Sequence, residues 1–175
     1  MSDDSNEMIN LDNVQNSGRP FLRNGMYSIR CLACEKGRSK KGNEMFTMQY
    51  EIVAPATVKT PNDNGSDVEV PIAGLKLTDW IVFNDMGFAK LKGLHKSMQL
   101  SMIFNKKNPD TRQYIGKAVK VSLTTEPQVL KDENTGEPIL DDSGQPTTLN
   151  NYRLQRFIGP DMEHTLPADS INSPF

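Results

Sequence analysis

The stretch GMYSIRCLACEKGRSKKGNEMFTMQYEIV, residues 25–53, decides the fold. Apolar and polar residues alternate near its start and near its end, and this period of two is typical of amphipathic β-strands. The middle, EKGRSKKGN, supplies glycines where a turn needs them. The stretch therefore predicts a β-hairpin whose basic tip carries Arg38, Lys40 and Lys41. The alternating positions of its two strands are Tyr27, Ile29, Cys31 and Ala33, then Phe46, Met48, Tyr50 and Ile52.

Three more strands and one helix are expected after this hairpin. Residues 68–83, VEVPIAGLKLTDWIVF, have the composition of a strand, with a proline that marks an edge or a break. Residues 116–123 and 151–158 alternate in the same way. Between the third and fourth strands, apolar residues recur at helical intervals after a capping Asn84 or Asp85. These helical positions are Phe88, Leu91, Leu94 and Met98.

The predicted order of three strands, one helix and two strands is that of an OB-fold, a partly open five-stranded barrel that binds oligonucleotides. We therefore expect an all-β fold with one short helix over residues 19–158, in which residues 125–150 form a polar excursion. Residues 1–18 are expected to be a flexible acidic leader, and residues 159–175 a flexible C-terminal tail. Another small barrel or a sandwich is the alternative, because element order alone does not determine topology.

The distribution of charge is more informative than the net charge of -2. Residues 17–124 carry a net charge of +8, whereas residues 1–16 and the region after residue 124 are acidic. A basic body can attract a polyanion locally while the acidic ends keep the whole chain near neutrality. The alternative is ordinary solvated surface charge.

Catalytic and metal-binding motifs are not found in the sequence. There is no GxxxxGK[ST], GxGxxG, GxSxG or HExxH, and the two histidines, His95 and His164, lie in no recognisable nucleophile or base setting. Cys31 and Cys34 form a CxxC, but residues three apart on a regular strand face opposite sides of a sheet. The sequence thus predicts a protein that is not an enzyme and needs no metal or cofactor.

The N-terminal segment and the hydropathy pattern indicate the cellular compartment. The N-terminal MSDDSNEMINLD contains four acids and no base, the reverse of a secretory signal. No apolar run approaches the roughly 18 residues that a membrane helix needs. A cytoplasmic protein with no membrane partner is therefore expected.

Basic residues interleaved with aromatic ones are the combination that single-stranded nucleic acid needs. Lysine and arginine neutralise phosphates, and aromatic rings stack on unpaired bases. Most of the 12 aromatic residues are expected in the core, so only some of the rings are available for stacking. The candidate nucleic-acid-binding residues are Arg30, Arg38, Lys40, Lys41, Phe46, Tyr50, Lys76, Trp80, Tyr152, Arg153 and Arg156.

These stretches, together with TDWIVFN, FAKLKGLHKSM, IGKAVKV and NYRLQRFI, resemble bacteriophage single-stranded DNA-binding proteins of the OB-fold type. The resemblance covers most of residues 20–158, and its most recognisable part is the basic turn K-x-S-K-x-G-N. The C-terminus resembles that of bacterial and phage single-stranded DNA-binding proteins, which end in an acidic tail with an aromatic tip. Here Asp169 precedes the terminal Pro174 and Phe175.

The resemblance implies sequence-independent binding of single-stranded DNA in replication, recombination or repair, in the host cytoplasm if the protein is viral. It also implies that Asp169, Pro174 and Phe175 contact partner replication or recombination proteins. Two other functions stay open at this point. One is a structural or assembly module of a virion or complex, in which a sheet edge pairs with further copies. The other is an enzyme that processes nucleic acid, which the scarcity of histidine disfavours.

Overall fold

The computed structural model describes residues 22–61 and 66–171. The regular structure of the described chain is mainly β-strand with one short α-helix, as predicted. The elements are β1 (Gly25–Arg38), β2 (Glu44–Ala54), β3 (Thr57–Pro61), β4 (Asp67–Pro71), β5 (Lys76–Val82), α1 (Asp85–Met98), β6 (Ala118–Val129) and β7 (Thr148–Pro160). The predicted leader, residues 1–18, lies outside the described residues. No helix in the described ranges combines the length and apolar character needed to cross a bilayer.

Five strands form one antiparallel sheet in the order β5-β2-β1-β6-β7, and β3 pairs with β4 in a separate hairpin. The two edge strands, β5 and β7, approach each other, but no strand pairing joins them in the described chain. The sheet is therefore open, and a closed barrel is not shown. Helix α1 packs against β5, β6 and β7, so it contacts both edges of the sheet.

The helix begins and ends as its sequence predicts. The side chain of Asn84 accepts a hydrogen bond from the Gly87 backbone N–H at 2.8 Å, which confirms Asn84 as the N-cap. Asp85 follows in the first turn, where a negative charge complements the helix dipole. Gln99 ends the helix in a left-handed conformation.

The prediction of a single third strand over residues 68–83 is wrong. The segment divides at residues 72–75, so that β4 pairs with β3 and only β5 joins the main sheet. Pro71 ends β4, and Gly74 adopts a φ of +88° in the turn that follows. Residues Thr57–Pro61 form β3 because β4 gives them a strand to pair with.

A β-bulge at Leu32 changes the face of one cysteine. Cys31 pairs with Tyr50 and Cys34 pairs with Met48, while the register shifts between Cys31 and Ala33. The extra residue places both cysteines on the core side, so the expectation that they face opposite sides of the sheet is wrong. Burial raises the pKa of the Cys31 thiol to about 12, and it raises the pKa of Cys34 further. Both are therefore unreactive thiols at neutral pH.

The core is built on aromatic contacts between the sheet and the segment that follows α1. Phe46 makes edge-to-face contacts with Phe83, Phe104 and Tyr114 at centroid distances of 5.0 to 5.8 Å. The ring of His95 lies between two oxygens, with Nε2 2.6 Å from the Tyr114 hydroxyl and Nδ1 2.7 Å from the Ser101 carbonyl. These contacts hold α1 and residues 100–114 to the sheet.

The polar excursion expected at residues 125–150 is shorter than predicted, because strands occupy both of its ends. Strand β6 continues to Val129 and β7 starts at Thr148, and the two pair along this whole length. The excursion is therefore a projecting hairpin rather than a loop. Strand β7 also continues to Pro160, two residues past the expected end of the domain.

The approach of α1 to β5 generates a prediction. A Cβ at Gly87 would lie 1.6 Å from the carbonyl oxygen of Val82, a contact that neither backbone can accommodate without moving. We expect Gly87→Ala to lower the free energy of unfolding by about 1 to 3 kcal/mol, the usual cost of overpacking. Thermal or urea unfolding measures this change.

Gly93→Ala is the matched control, because it lies in the same helix and a Cβ there meets nothing within 4 Å. It should leave stability unchanged or raise it by up to about 1 kcal/mol, since alanine favours helix. Equal stability of the two variants would contradict the close packing of α1 on β5.

Candidate nucleic-acid interface

The outer face of β1, β2 and β5 presents one exposed aromatic ring. Trp80 on β5 is 58% exposed, and its chain neighbours Asp79 and Ile81 are buried on the opposite side of the strand. Across the sheet Trp80 lies opposite Thr47, and Thr47 lies opposite Glu35 on β1. The adjacent side chain on β2, Thr47, is small, and more than half of Trp80 is open to solvent.

The next row across this face is uncharged. Thr78, Gln49 and Ala33 lie side by side on β5, β2 and β1. The side-chain oxygen of Gln49 is buried and makes no hydrogen bond within the described residues. An orphaned polar atom of this kind is uncommon in native proteins.

An ion-paired row follows at the far end of the face. The Glu51 carboxylate lies 2.8 Å from Arg30 Nη1 and 3.8 Å from Lys76 Nζ. Arg30 also donates from Nε to the carbonyl oxygen of His164 at 2.8 Å, and its side chain is only 15% exposed. Arg30 therefore has internal partners for its guanidinium group, whereas Lys76 is more than half exposed.

The predicted basic tip lies at the other end of the face, where β1 turns into β2. Arg38, Lys40 and Lys41 are all exposed, and Arg38 donates to the Gly42 carbonyl at 3.0 Å. Among the described residues, neither Lys40 nor Lys41 takes part in an ion pair. Both charges are thus available to an external anion.

Three further cations near this tip, Lys36, Lys106 and Lys107, were not among the predicted residues. Lys36 donates to the Lys107 carbonyl at 3.0 Å and pairs with Glu44 at 3.2 Å. The hydrogen bond from Lys36, and then the charges of Lys36, Lys106 and Arg38, hold the pKa of Glu44 below its usual value. The Lys106-Lys107 dipeptide was a visible basic signal, but only the fold brings it beside the hairpin.

Two predicted stacking residues are in the core. Phe46 and Tyr50 are 0% exposed, and Tyr50 donates its hydroxyl to the Met48 sulfur at 3.3 Å. Neither ring has a free face for a base, so both are corrected to core residues. Their alternation with Met48 and Ile52 already favoured this side of the sheet.

The predicted residues of β7 lie on the other edge strand from Lys76 and Trp80. Tyr152 packs in part against the core. Arg153 is exposed and pairs with Glu126 at 3.5 Å, and Arg156 is exposed opposite Ser122. Through β6, Arg153 and Arg156 lie beside the start of β1, at the opposite end of that strand from the hairpin tip.

Residues 161–171 run beside β1 and β6 instead of leaving the body. The Leu166 N–H donates to the Gly116 carbonyl at 2.8 Å, and the Ala118 N–H donates to the Thr165 hydroxyl at 3.0 Å. Gly116 has a φ of +84°, and a Cβ there would lie 2.1 Å from the Leu166 carbonyl oxygen. The contacts of the domain thus extend past the expected boundary at residue 158.

The predicted partner-binding residues fall at the end of this segment. The Asp169 carboxylate is exposed and pairs with Arg112 Nη2 at 3.1 Å. Pro174 and Phe175 lie outside the described residues. Asp169 is therefore held on the body by a surface ion pair, which contributes little to stability by itself.

A turn at Asp161 attaches this segment to the sheet. Asp161 is buried, its carboxylate accepts from the His164 N–H at 3.3 Å, and Oδ2 lies 2.8 Å from His164 Nδ1. Burial opposes ionisation, but hydrogen bonds from Ser28 and His164 together hold the pKa of Asp161 below its usual value. Asp161, Glu163 and His164 also place potential ligand atoms within 4.8 Å of one another, yet the hydrogen bonds already occupy the Asp161 carboxylate.

The attachment at Asp161 generates a pH prediction. We expect Asp161→Asn to lower stability at pH 7 by about 1 to 3 kcal/mol, because hydrogen bonds to a charged group are lost. Since the folded pKa lies below the ordinary 3.8, the ionised Asp161 stabilises the fold above that pH, and the contribution is lost as pH falls further.

Thermal unfolding at pH 7 and near pH 3 measures this effect. The difference in stability between the parent protein and Asp161→Asn should be smaller at the lower pH. Asp169→Asn is the control and should change little at either pH, because its ion pair is exposed. A difference in stability that is the same at both pH values would contradict the stabilising role of the ionised Asp161.

No protein-family model matches the sequence, and no curated protein is found to be similar to it.

Proposed function

We propose that the protein binds single-stranded DNA without sequence preference through the outer face of β1, β2 and β5. The observation that carries the proposal is Trp80, an exposed ring that lies beside Thr47 and next to the uncharged row of Thr78, Gln49 and Ala33. Lys76 lies four residues away on the same strand, about 13 Å at the usual rise per residue. The basic tip of Arg38, Lys40 and Lys41 lies at the opposite end. A strand crossing this face would meet cations at both ends and a stacking platform between them.

The order of elements supports an OB-fold as the architecture behind this site. In the main sheet, the second and third strands along the chain are β2 and β5, and α1 separates the third from the fourth. OB-folds bind oligonucleotides on the face of strands two and three and with the loop between strands one and two. Here those parts carry Trp80 and the basic tip respectively.

Unpaired DNA fits the surface better than a duplex does. Stacking on Trp80 needs a base whose face is free, which a duplex interior does not offer. The lysines act on phosphates, which every sequence shares, so no base preference is expected. The resemblance to phage single-stranded DNA-binding proteins supports the same conclusion and places the proposed role in replication, recombination or repair.

Titration with oligo-dT tests the role of the ring. Trp80 is the one tryptophan of the chain, so its fluorescence reports on this site alone. We expect quenching on binding, and we expect Trp80→Ala to weaken the complex about 5- to 150-fold, as loss of about 1 to 3 kcal/mol of stacking implies.

Trp80→Phe keeps a flat ring and should retain part of the affinity. Since Trp80 is exposed, neither variant should unfold the protein, and thermal unfolding checks this. Unquenched fluorescence with full binding, or equal affinity for duplex DNA, would refute the proposal.

The salt dependence of binding tests the lysines. The slope of log K against log salt is about -0.7 per phosphate neutralised on a single strand. Changing Lys40→Gln and Lys41→Gln together should therefore make the slope less negative by about 1.4.

The matched control is Lys59→Gln with Lys131→Gln, two exposed lysines on other hairpins. The control should leave the slope near its parent value. Similar slopes for all three proteins would show that the hairpin tip does not contact phosphate.

A further inference from the structure

An acidic arm, residues 126–147, projects from the body and is not covered by any other part of the described chain. Every residue from 126 to 146 is exposed, and the arm carries six acids against the single base Lys131. The tips of most long hairpins are polar, but this one also exposes large apolar side chains. They are Val129, Leu130, Ile139 and Leu140, each at least 36% exposed.

The arm is ordered by its own backbone. The Leu130 N–H donates to the Thr147 carbonyl, and the Ile139 N–H donates to the Leu130 carbonyl, both at 2.9 Å. Asp132 accepts backbone N–H groups in a turn, and these hydrogen bonds lower the pKa of its carboxyl. The pKa of Asp141 is lowered first by the hydrogen bond from the Ser143 hydroxyl and then by backbone N–H groups. The arm therefore presents its charged and apolar groups in a defined arrangement.

A complementary surface lies on α1 and the segment after it, which we call the helix patch. Lys92 and Lys96 are exposed one helical turn apart. Beside them a cavity of about 270 Å³ is lined by apolar side chains that include Phe88, Leu91 and Phe104. Met102 also lines this cavity and is exposed, and two further exposed apolar residues, Met86 and Ile103, lie on α1 and on the segment after it.

Charge and apolar character match between the two surfaces. The arm is acidic with exposed aliphatic residues, and the helix patch is basic with exposed methionines and an apolar cavity. Both stay exposed in the single chain, so neither covers the other there. Exposed apolar groups rimmed by charge mark interaction sites.

We propose that the acidic arm of one copy docks on the helix patch of a second copy. The contact joins two different surfaces, so it is heterologous: in a pair, the copy that gives its arm keeps its patch free, and the other copy keeps its arm free. Such a contact extends into rows of molecules unless the rotation closes a ring. The proposal goes beyond DNA binding, because neither surface includes Trp80 or the hairpin tip.

Charge reversal on both surfaces tests the pairing. Sedimentation of the full chain without DNA at low salt, over a wide range of concentration, measures association. Glu133→Lys with Asp142→Lys alters the arm while sparing the turn aspartates Asp132 and Asp141. Lys92→Glu with Lys96→Glu alters the helix patch.

We expect each pair of substitutions to weaken self-association at least about tenfold, because attraction between the surfaces becomes repulsion. Combining all four should restore it, since the charges again oppose each other. Lys59→Glu with Lys120→Glu is the control for a general change in net charge and should leave association near the parent level.

A second experiment tests the apolar contact. Ile139→Ser with Leu140→Ser should also weaken self-association. Raising the salt concentration should weaken the self-association of the parent protein. Carbodiimide cross-linking of mixed light and heavy isotope-labelled protein should join Glu133 of one copy to Lys92 of another.

Three results would overturn the proposal. They are a parent protein that stays monomeric at every concentration, association that neither pair of substitutions affects, and failure of the combined variant to recover. None of these results depends on DNA. Failure of the self-association proposal would therefore leave the proposed binding of single strands untouched, and failure of the DNA-binding proposal would leave self-association untouched.

Discussion

The packing of α1 across the two unpaired edges of the sheet is the contact on which the rest of the structure depends. Five strands in the order β5-β2-β1-β6-β7 leave β5 and β7 without a second pairing partner in the described chain. The helix lies against both edges and covers the apolar side of the sheet there. Gly87 permits this approach, because any side chain at that position would meet the Val82 carbonyl. The opposite side of β5 is thereby left to solvent, and that is the side on which Trp80 lies.

The same packing buries a charge. Asp79 faces the core side of β5 and pairs with Lys90 of α1 at 2.6 Å, while its second oxygen has no partner within the described residues. Burial raises the pKa of Asp79, and the charge and hydrogen bond of Lys90 offset that rise only in part. A buried pair of this kind is weak evidence for stability, but removing one partner would leave an uncompensated charge. The pair therefore fixes where α1 sits along β5 more than it strengthens the fold.

The cations of the chain divide into those already paired and those that are free. Glu51 engages Arg30 and contacts Lys76, and Asp169 holds Arg112. The hairpin tip keeps its charges free, and Lys92 and Lys96 keep theirs on α1. The cations of the hairpin tip are suited to an unpaired strand, and those of α1 are suited to the acidic arm. A basic net charge over residues 17–124 could not distinguish these fates, because pairing depends on distances between residues far apart in sequence.

Periodicity alone determined the first hairpin, its basic tip and the capped helix, because each depends on neighbours a few residues apart. It could not reveal the bulge at Leu32, which exists only through the register of β1 against β2 and which turns Cys34 toward the core. Nor could it divide residues 68–83, since the separation of β4 from β5 depends on the strand that each one pairs with. The commitment of Arg30 to Glu51 and to the carbonyl of His164 was likewise decided by tertiary structure. Local pattern specifies which face a side chain shares with its neighbours, whereas only long-range contacts specify what that face meets.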